Sequence, residues 1–341
     1  MFARALAALL LLPPAVSAPA PRDFPAYRVE AGTTLVRTLT STTRLDSKPV
    51  RMYVDGEELP TEAQGEVRLR VTDDKEYEVA DTITAVAAGR ATRFEREYRE
   101  FKNRSSEIVV AKPKDGDAVE RESARERTTP LEGHTVRFTW DAGEEEYAPT
   151  FVVAEGAERP DASLLEGLAG DLEWIVLLED GPREVGATFA LEAAVFERVQ
   201  YPLGDLHWLA DGEPVERVGK EINEELSENL AGKAKATWRG VREEDGRQLG
   251  VFELEADLTS RAEAETDSGE TRAVELELDY EGRVLWDMQA GRLAGYSFEA
   301  DVRSVLSSTR EVQGPQGKVA LRQVFDLEGT AKHALTVRTG S

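Results

Sequence analysis

Between Val274 and Val302 apolar and charged side chains alternate almost residue by residue. Val274, Leu276, Leu278 and Tyr280 are interleaved with Glu275, Glu277 and Asp279, and Ala294, Tyr296, Phe298, Ala300 and Val302 with Ser297, Glu299, Asp301 and Arg303. Successive side chains on a strand point to opposite faces, whereas a helix would scatter such a pattern around its circumference. The stretch from Thr271 to Ser308 therefore reads as three strands and two turns of an antiparallel sheet, dry on one face and wet on the other.

The same period recurs along the chain. Val67, Leu69 and Val71 alternate with Arg68 and Arg70, and Phe252, Leu254, Ala256 and Leu258 with Glu253, Glu255 and Asp257. Further strands are expected around Tyr77 to Val86, Ala91 to Phe101, His134 to Trp140 and Val319 to Val337, with turns at Asp55-Gly56, Asp73-Asp74, Gly89 and Asp115-Gly116. The charged run from Asp117 to Pro130 fits an exposed hairpin.

The middle differs. Asp161 to Glu166 has the form of a capping box that would open a helix running toward Leu178, although Gly167 and Gly170 weaken it. A second helix is expected from Val215 to Leu230, where Val218, Ile222 and Leu226 recur at four-residue spacing, with Gly232 as its carboxy-terminal cap. The expected fold is thus mainly β with two short helices, an α+β arrangement of curved antiparallel sheets, one version being two related half-barrel-like halves. The divisions are a signal peptide over 1–20, an N-terminal β-rich half over 21–155, a helical connector over 156–232 and a C-terminal antiparallel half over 233–341. Periodicity does not say whether the halves share one sheet.

The address is written at the start. Arg4 precedes the apolar run Ala5 to Leu12, then Pro13, Pro14 and the small residues Val16, Ser17 and Ala18, in the order of a secretory signal peptide. Eight apolar residues are far fewer than the ~20 a bilayer-spanning helix needs. An exported chain, periplasmic or extracellular, with no transmembrane segment once mature, is the expectation. The chain has no cysteine, which excludes disulfides, thiolate metal sites and a lipidated amino-terminal cysteine. Its formal charge of −24 opposes binding to nucleic acid.

Catalytic motifs are missing. His134, His207 and His333 are widely separated and no His-Glu-x-x-His occurs. There is no Gly-x-Ser-x-Gly, no Ser-x-x-Lys, no phosphate loop and no dinucleotide fingerprint. With 66 Asp and Glu residues, adjacent acids are expected by composition alone, and Asp115-Gly116-Asp117 is not followed by a calcium loop. No catalytic residue, cofactor or metal ligand is assigned. Trp-Asp occurs at both Trp140 and Trp286, but 146 residues of separation does not suit propeller blades, which repeat at about 40–45. The aromatic residues Trp140, Trp238, Trp286, Tyr296, Phe298 and Phe325 fall on apolar strand faces. They either line a concave cavity for a lipophilic ligand or fill the core.

Gly282 to Ser307, with Gly-Arg-Val-Leu-Trp-Asp and the turn Gln289 to Arg292, resembles the carboxy-terminal region of exported bacterial proteins of planctomycete type that have no assigned activity. Leu177 to Phe189 resembles a connector of the same family. A looser resemblance is to LolA-like half-barrels, in which a sheet curls around a helix and shelters lipid chains. Three functions fit: a non-enzymatic binding or envelope-associated protein holding a hydrophobic small molecule or an envelope protein, an acidic interaction module without a cavity, and a hydrolase with a composite site. The first is preferred.

Overall fold

The computed structural model describes residues 24–60, 65–87, 89–114, 116–170, 173–179, 181–210, 212–214, 217–314 and 317–340. The expected signal peptide, Asp115 of one expected turn, and Val215 at the expected start of the second helix lie outside them. The N-terminal part holds β1 (Thr34–Ser47), β2 (Arg51–Val54), β3 (Glu57–Glu58), β4 (Glu66–Ala87), β5 (Arg90–Lys112), β6 (Val119–Thr128), β7 (Thr135–Asp141) and β8 (Glu146–Phe151). The connector adds β9 (Thr188–Leu191), β10 (Leu209–Ala210), β11 (Glu213–Pro214) and the helix Arg217–Glu228. Long strands follow: β12 (Ala231–Glu244), β13 (Arg247–Glu265), β14 (Thr271–Asp287), β15 (Arg292–Gly314) and β16 (Gly317–Thr339).

These strands join one antiparallel sheet in the order β11-β10-β6-β5-β4-β1-β16-β15-β14-β13-β12-β9. β1 pairs on one side with β4 and on the other with β16, from Leu35 opposite Thr339 to Ser47 opposite Leu327, so the first and last strands stitch the chain into a continuous surface. This corrects the expectation of curved, half-barrel-like halves: the sheet is single and open, and it is neither strongly curled nor closed. Closure would require its two outer edges to meet. One edge carries β6, whose Glu120, Arg121, Glu122, Arg125 and Glu126 are all exposed, and such charge resists edge-to-edge pairing.

The alternation at Val274 to Val302 gives the expected two-faced strands, but as two strands and one turn. β14 continues straight through Gly282, where a Cβ would collide with Phe298 of the neighbouring strand, so the glycine makes room for a ring instead of turning the chain. Asp73-Asp74 likewise lies inside β4, with the Asp73 carboxylate 2.7 Å from Lys75 Nζ. Within Asp117 to Pro130, Val119–Thr128 forms a single, largely exposed strand, β6, hydrogen-bonded to β5.

The dry face is covered by the connector. Its expected first helix is replaced by two short 3₁₀ turns, Ala162–Leu165 and Ile175–Leu177, the first capped by Asp161, whose carboxylate accepts the Ser163 amide. Gly167 at φ +73° and Gly170, wedged against Tyr147, end the coil there. Trp174 stacks on Phe298 at 5.5 Å between ring centres and meets Tyr296 and Phe196 edge-on. Phe24 packs against Trp238, and Tyr27 against Trp286. Rings of this size bury about 150–250 Å² each, or ~4–6 kcal/mol at ~25 cal/mol per Å².

The helix Arg217–Glu228 lays Val218, Ile222 and Leu226 against Ala262 and Val274 at the far ends of β13 and β14. Gly232 does not cap it. That residue lies in β12, where a Cβ would collide with the Asp257 carbonyl. The two Trp-Asp pairs share a local cause: Asp141 and Asp287 each end a strand by accepting two backbone amides of the turn that follows.

Candidate functional site

Strand register carries one row of side chains across the dry face. Arg127 of β6 lies opposite Asn103 of β5, Asn103 opposite Lys75 of β4, Lys75 opposite Ser41 of β1, and Ser41 opposite His333 of β16. The row then turns apolar through Phe298, Gly282, Leu254 and Ala236. The connector presses directly onto the apolar part. Over the polar part it stands off and leaves a cavity of about 560 Å³ beneath the loop around Tyr201 to Leu209 and the helix Arg217–Glu228.

Tyr77, Leu203, Leu206 and Trp208 give this cavity apolar walls. Tyr77 stacks on Phe101 at 5.3 Å and touches Trp208 at 5.5 Å, so the rings brace one another. Burial, and secondarily Asp73, pushes the Tyr77 phenol well above its ordinary range. The loop is pinned at two adjacent residues: Thr129 Oγ1 donates to the Leu206 carbonyl at 2.5 Å, and Asp205 receives Lys220 of the helix at 3.0 Å. Exposed Glu224 and Glu228 form part of the rim.

The floor is unusual. Asn103 is 3% exposed, and neither its Nδ2 nor its Oδ1 finds a hydrogen-bond partner in the protein. Arg127 Nε is buried in the same condition. Leaving a buried donor or acceptor unpaired costs about 1–3 kcal/mol, so such groups call for an explanation in what the cavity holds. At the border of the row His333 is nearly buried, and that burial, helped by the Lys75 charge, pushes its imidazole down to about 4.

A second polar cluster is structural. Asp81 accepts Arg96 Nε at 2.7 Å and Arg37 Nε at 3.0 Å, while Arg37 Nη2 reaches Glu173 of the connector at 2.5 Å. Arg96, fully buried, also donates to the carbonyls of Ala169 and Gly170 and lies over Phe94 and Phe138. Burial alone would raise the Asp81 carboxyl, but Arg96 and then Arg37 outweigh it and hold the group below the ordinary carboxylate range. With two cations against two carboxylates, the cluster fastens connector to sheet.

The aromatic residues singled out from sequence do not surround this cavity. Trp238, Trp286, Tyr296 and Phe298 are buried in the filled part of the core, Trp140 lies on β7 beneath the Arg90 guanidinium, and Phe325 is half-buried opposite Leu306. Phe298 borders an open depression of about 1070 Å³ on the wet face, where Lys332 pairs with Glu299 and Arg239 with Glu253. Trp208, Tyr77 and Asn103 are what sequence reasoning missed. The available signal for Trp208 was a tryptophan in an irregular loop behind Pro202 and Gly204, outside any alternating strand.

Among the described residues no three or more His, Cys, Asp or Glu side chains gather as a metal site. His207 contacts the Glu166 carbonyl and His134 packs on Phe151. Among the described residues no helix is long and apolar enough to cross a membrane, which says nothing of strands.

No family model matches the chain, LolA-like half-barrels included, and no curated protein matches it. Among solved structures it is similar to an outer membrane channel from Pseudomonas putida F1, at 9% identity and a TM-score of 0.20 over 94% of this chain and 99% of that one. It is also similar to the transport unit of the autotransporter AIDA-I from Escherichia coli, at 8% identity and a TM-score of 0.13 over 94% and 93% of the two chains. Superpositions this loose carry no functional argument.

Proposed function

We propose that the chain is an exported, non-catalytic binding protein that shelters a small hydrophobic molecule in the cavity between β4–β6, the connector loop and the helix Arg217–Glu228. The observation that supports this reading is a space of about 560 Å³, walled by Tyr77, Leu203, Leu206 and Trp208, with the unpartnered Asn103 amide at its floor. Ligand sites are typically about 300–1,000 Å³, mostly apolar, with a few placed polar groups. Export is supported by the leader pattern at Arg4 to Ala18. The absence of catalytic motifs supports binding over chemistry.

The test is a titration of the whole purified chain with a hydrophobic fluorescent probe, alongside solvent extraction for co-purifying lipid. One saturable site is expected, weakened by Ser227→Trp, which would fill the cavity from its helical wall. Absence of saturable binding, or binding unchanged by that substitution, would defeat the proposal.

A further inference from the structure

We propose that the cavity takes a single-chain alkyl carboxylate, with the head at the Arg127–Asn103–Lys75 row and the chain against Tyr77, Leu203, Leu206 and Trp208; this rests on the binding role proposed above. Three buried atoms specify the head. Arg127 Nε and Asn103 Nδ2 are donors without an acceptor, and Asn103 Oδ1 is an acceptor without a donor. All belong to adjacent strands of one register row, and both side chains line the cavity. A carboxylate satisfies the two donors, and a cationic partner makes such bonds stronger than neutral ones. A hydroxyl on the carbon chain close to the carboxylate would satisfy Oδ1 as well.

Charge orients the molecule. Lys75, on the other side of Asn103, adds a cation that Asp73 partly neutralises at 2.7 Å. The carboxylates that also line the cavity lie elsewhere: Glu197, Glu224 and Glu228 are exposed, and Asp205 is paired with Lys220. An acidic mouth and a cationic floor direct an anionic head inward. A neutral or cationic amphiphile gains nothing from that arrangement. An apolar wall without polar groups would hold any alkyl chain, so the discrimination must come from the floor.

The experiment compares 3-hydroxydodecanoate, dodecanoate and dodecanol by calorimetric titration of the full chain below their aggregation concentrations. Dodecanoate is expected to bind at least about tenfold more tightly than dodecanol, the scale of one hydrogen bond to a charged group, and the hydroxy acid more tightly still. Arg127→Gln should reduce the preference for dodecanoate over dodecanol severalfold, and an unchanged thermal unfolding curve reports that the fold is intact. Asn103→Leu should erase the advantage of the hydroxy acid. Equal binding of all three ligands to the unmodified chain, or a dodecanoate preference undiminished by Arg127→Gln, overturns the anionic head and leaves the hydrophobic site standing. No binding of any of them overturns both.

Discussion

The two parts of the dry face, built on the same strands and covered by the same connector, are finished differently. From β16 to β12 the face is aromatic and aliphatic, and Trp174 and Phe196 close on it. From β6 to β1 it carries Arg127, Asn103, Lys75 and Ser41, and the connector bridges over them. The first part resembles an interior packed for stability. The second keeps space open over the unpaired atoms of Asn103 and Arg127, whereas in the first the unpaired Trp286 Nε1 is enclosed by packed side chains. Farther along β1, β4 and β5, Arg37, Asp81 and Arg96 hold Glu173 of the connector to the sheet.

The comparison can be broken first at that cluster. Arg96→Leu should destabilise the chain by about 3–5 kcal/mol in urea unfolding, because Asp81 would be left buried without its principal partner. A loss below about 1 kcal/mol would mean that the cluster is not dry. Within the filled part, Phe298→Ala should cost about 3–5 kcal/mol, whereas Trp208→Ala, already facing a cavity on one side, should cost clearly less. Equal costs would erase the distinction between the two parts.

His333 marks the border and supplies a pH readout. Its folded value of about 4 lies below the ordinary 6.5, so the unfolded chain binds the proton more readily between those values. The stability contributed by the neutral imidazole is complete above about pH 6.5 and is lost as pH falls toward 4. The loss is about 3 kcal/mol at 1.36 kcal/mol per pH unit. His333→Gln should flatten stability across that window; an unchanged slope would place the imidazole in water. The smallest effect is expected at Asn103→Leu, which removes two unpartnered polar atoms from the cavity floor and should stabilise the ligand-free chain by about 1 kcal/mol. Destabilisation there would show that the amide is satisfied.

Sequence pattern revealed one of these parts and not the other, for a physical reason. The filled part is made by strands whose alternation is visible locally, as at Val274 to Tyr280 and Phe252 to Leu258, and by a helix whose Val218, Ile222 and Leu226 spacing is equally local. The cavity is made by register. Asn103 and His333 enter one row only because β5, β4, β1 and β16 pair at particular offsets, and no short-range period encodes them. Asp73-Asp74 misled for the same reason: it has turn chemistry locally, but pairing with Thr43 and Thr42 of β1 and with Ser105 and Arg104 of β5 keeps the strand extended. The capping-box pattern at Ser163 gave a single 3₁₀ turn because Gly167 and Gly170 follow it within about two helical turns.

The most direct test of the division is collisional quenching of tryptophan fluorescence by a bromine-tagged undecanol. Of the five tryptophans, Trp208 borders the cavity, while Trp174, Trp238 and Trp286 are buried in the filled part and Trp140 lies on β7. Saturable quenching in the unmodified chain that disappears in Trp208→Phe is the result expected. Quenching of equal depth in both proteins would place the ligand among the aromatic residues of β12 to β16 and contradict the account.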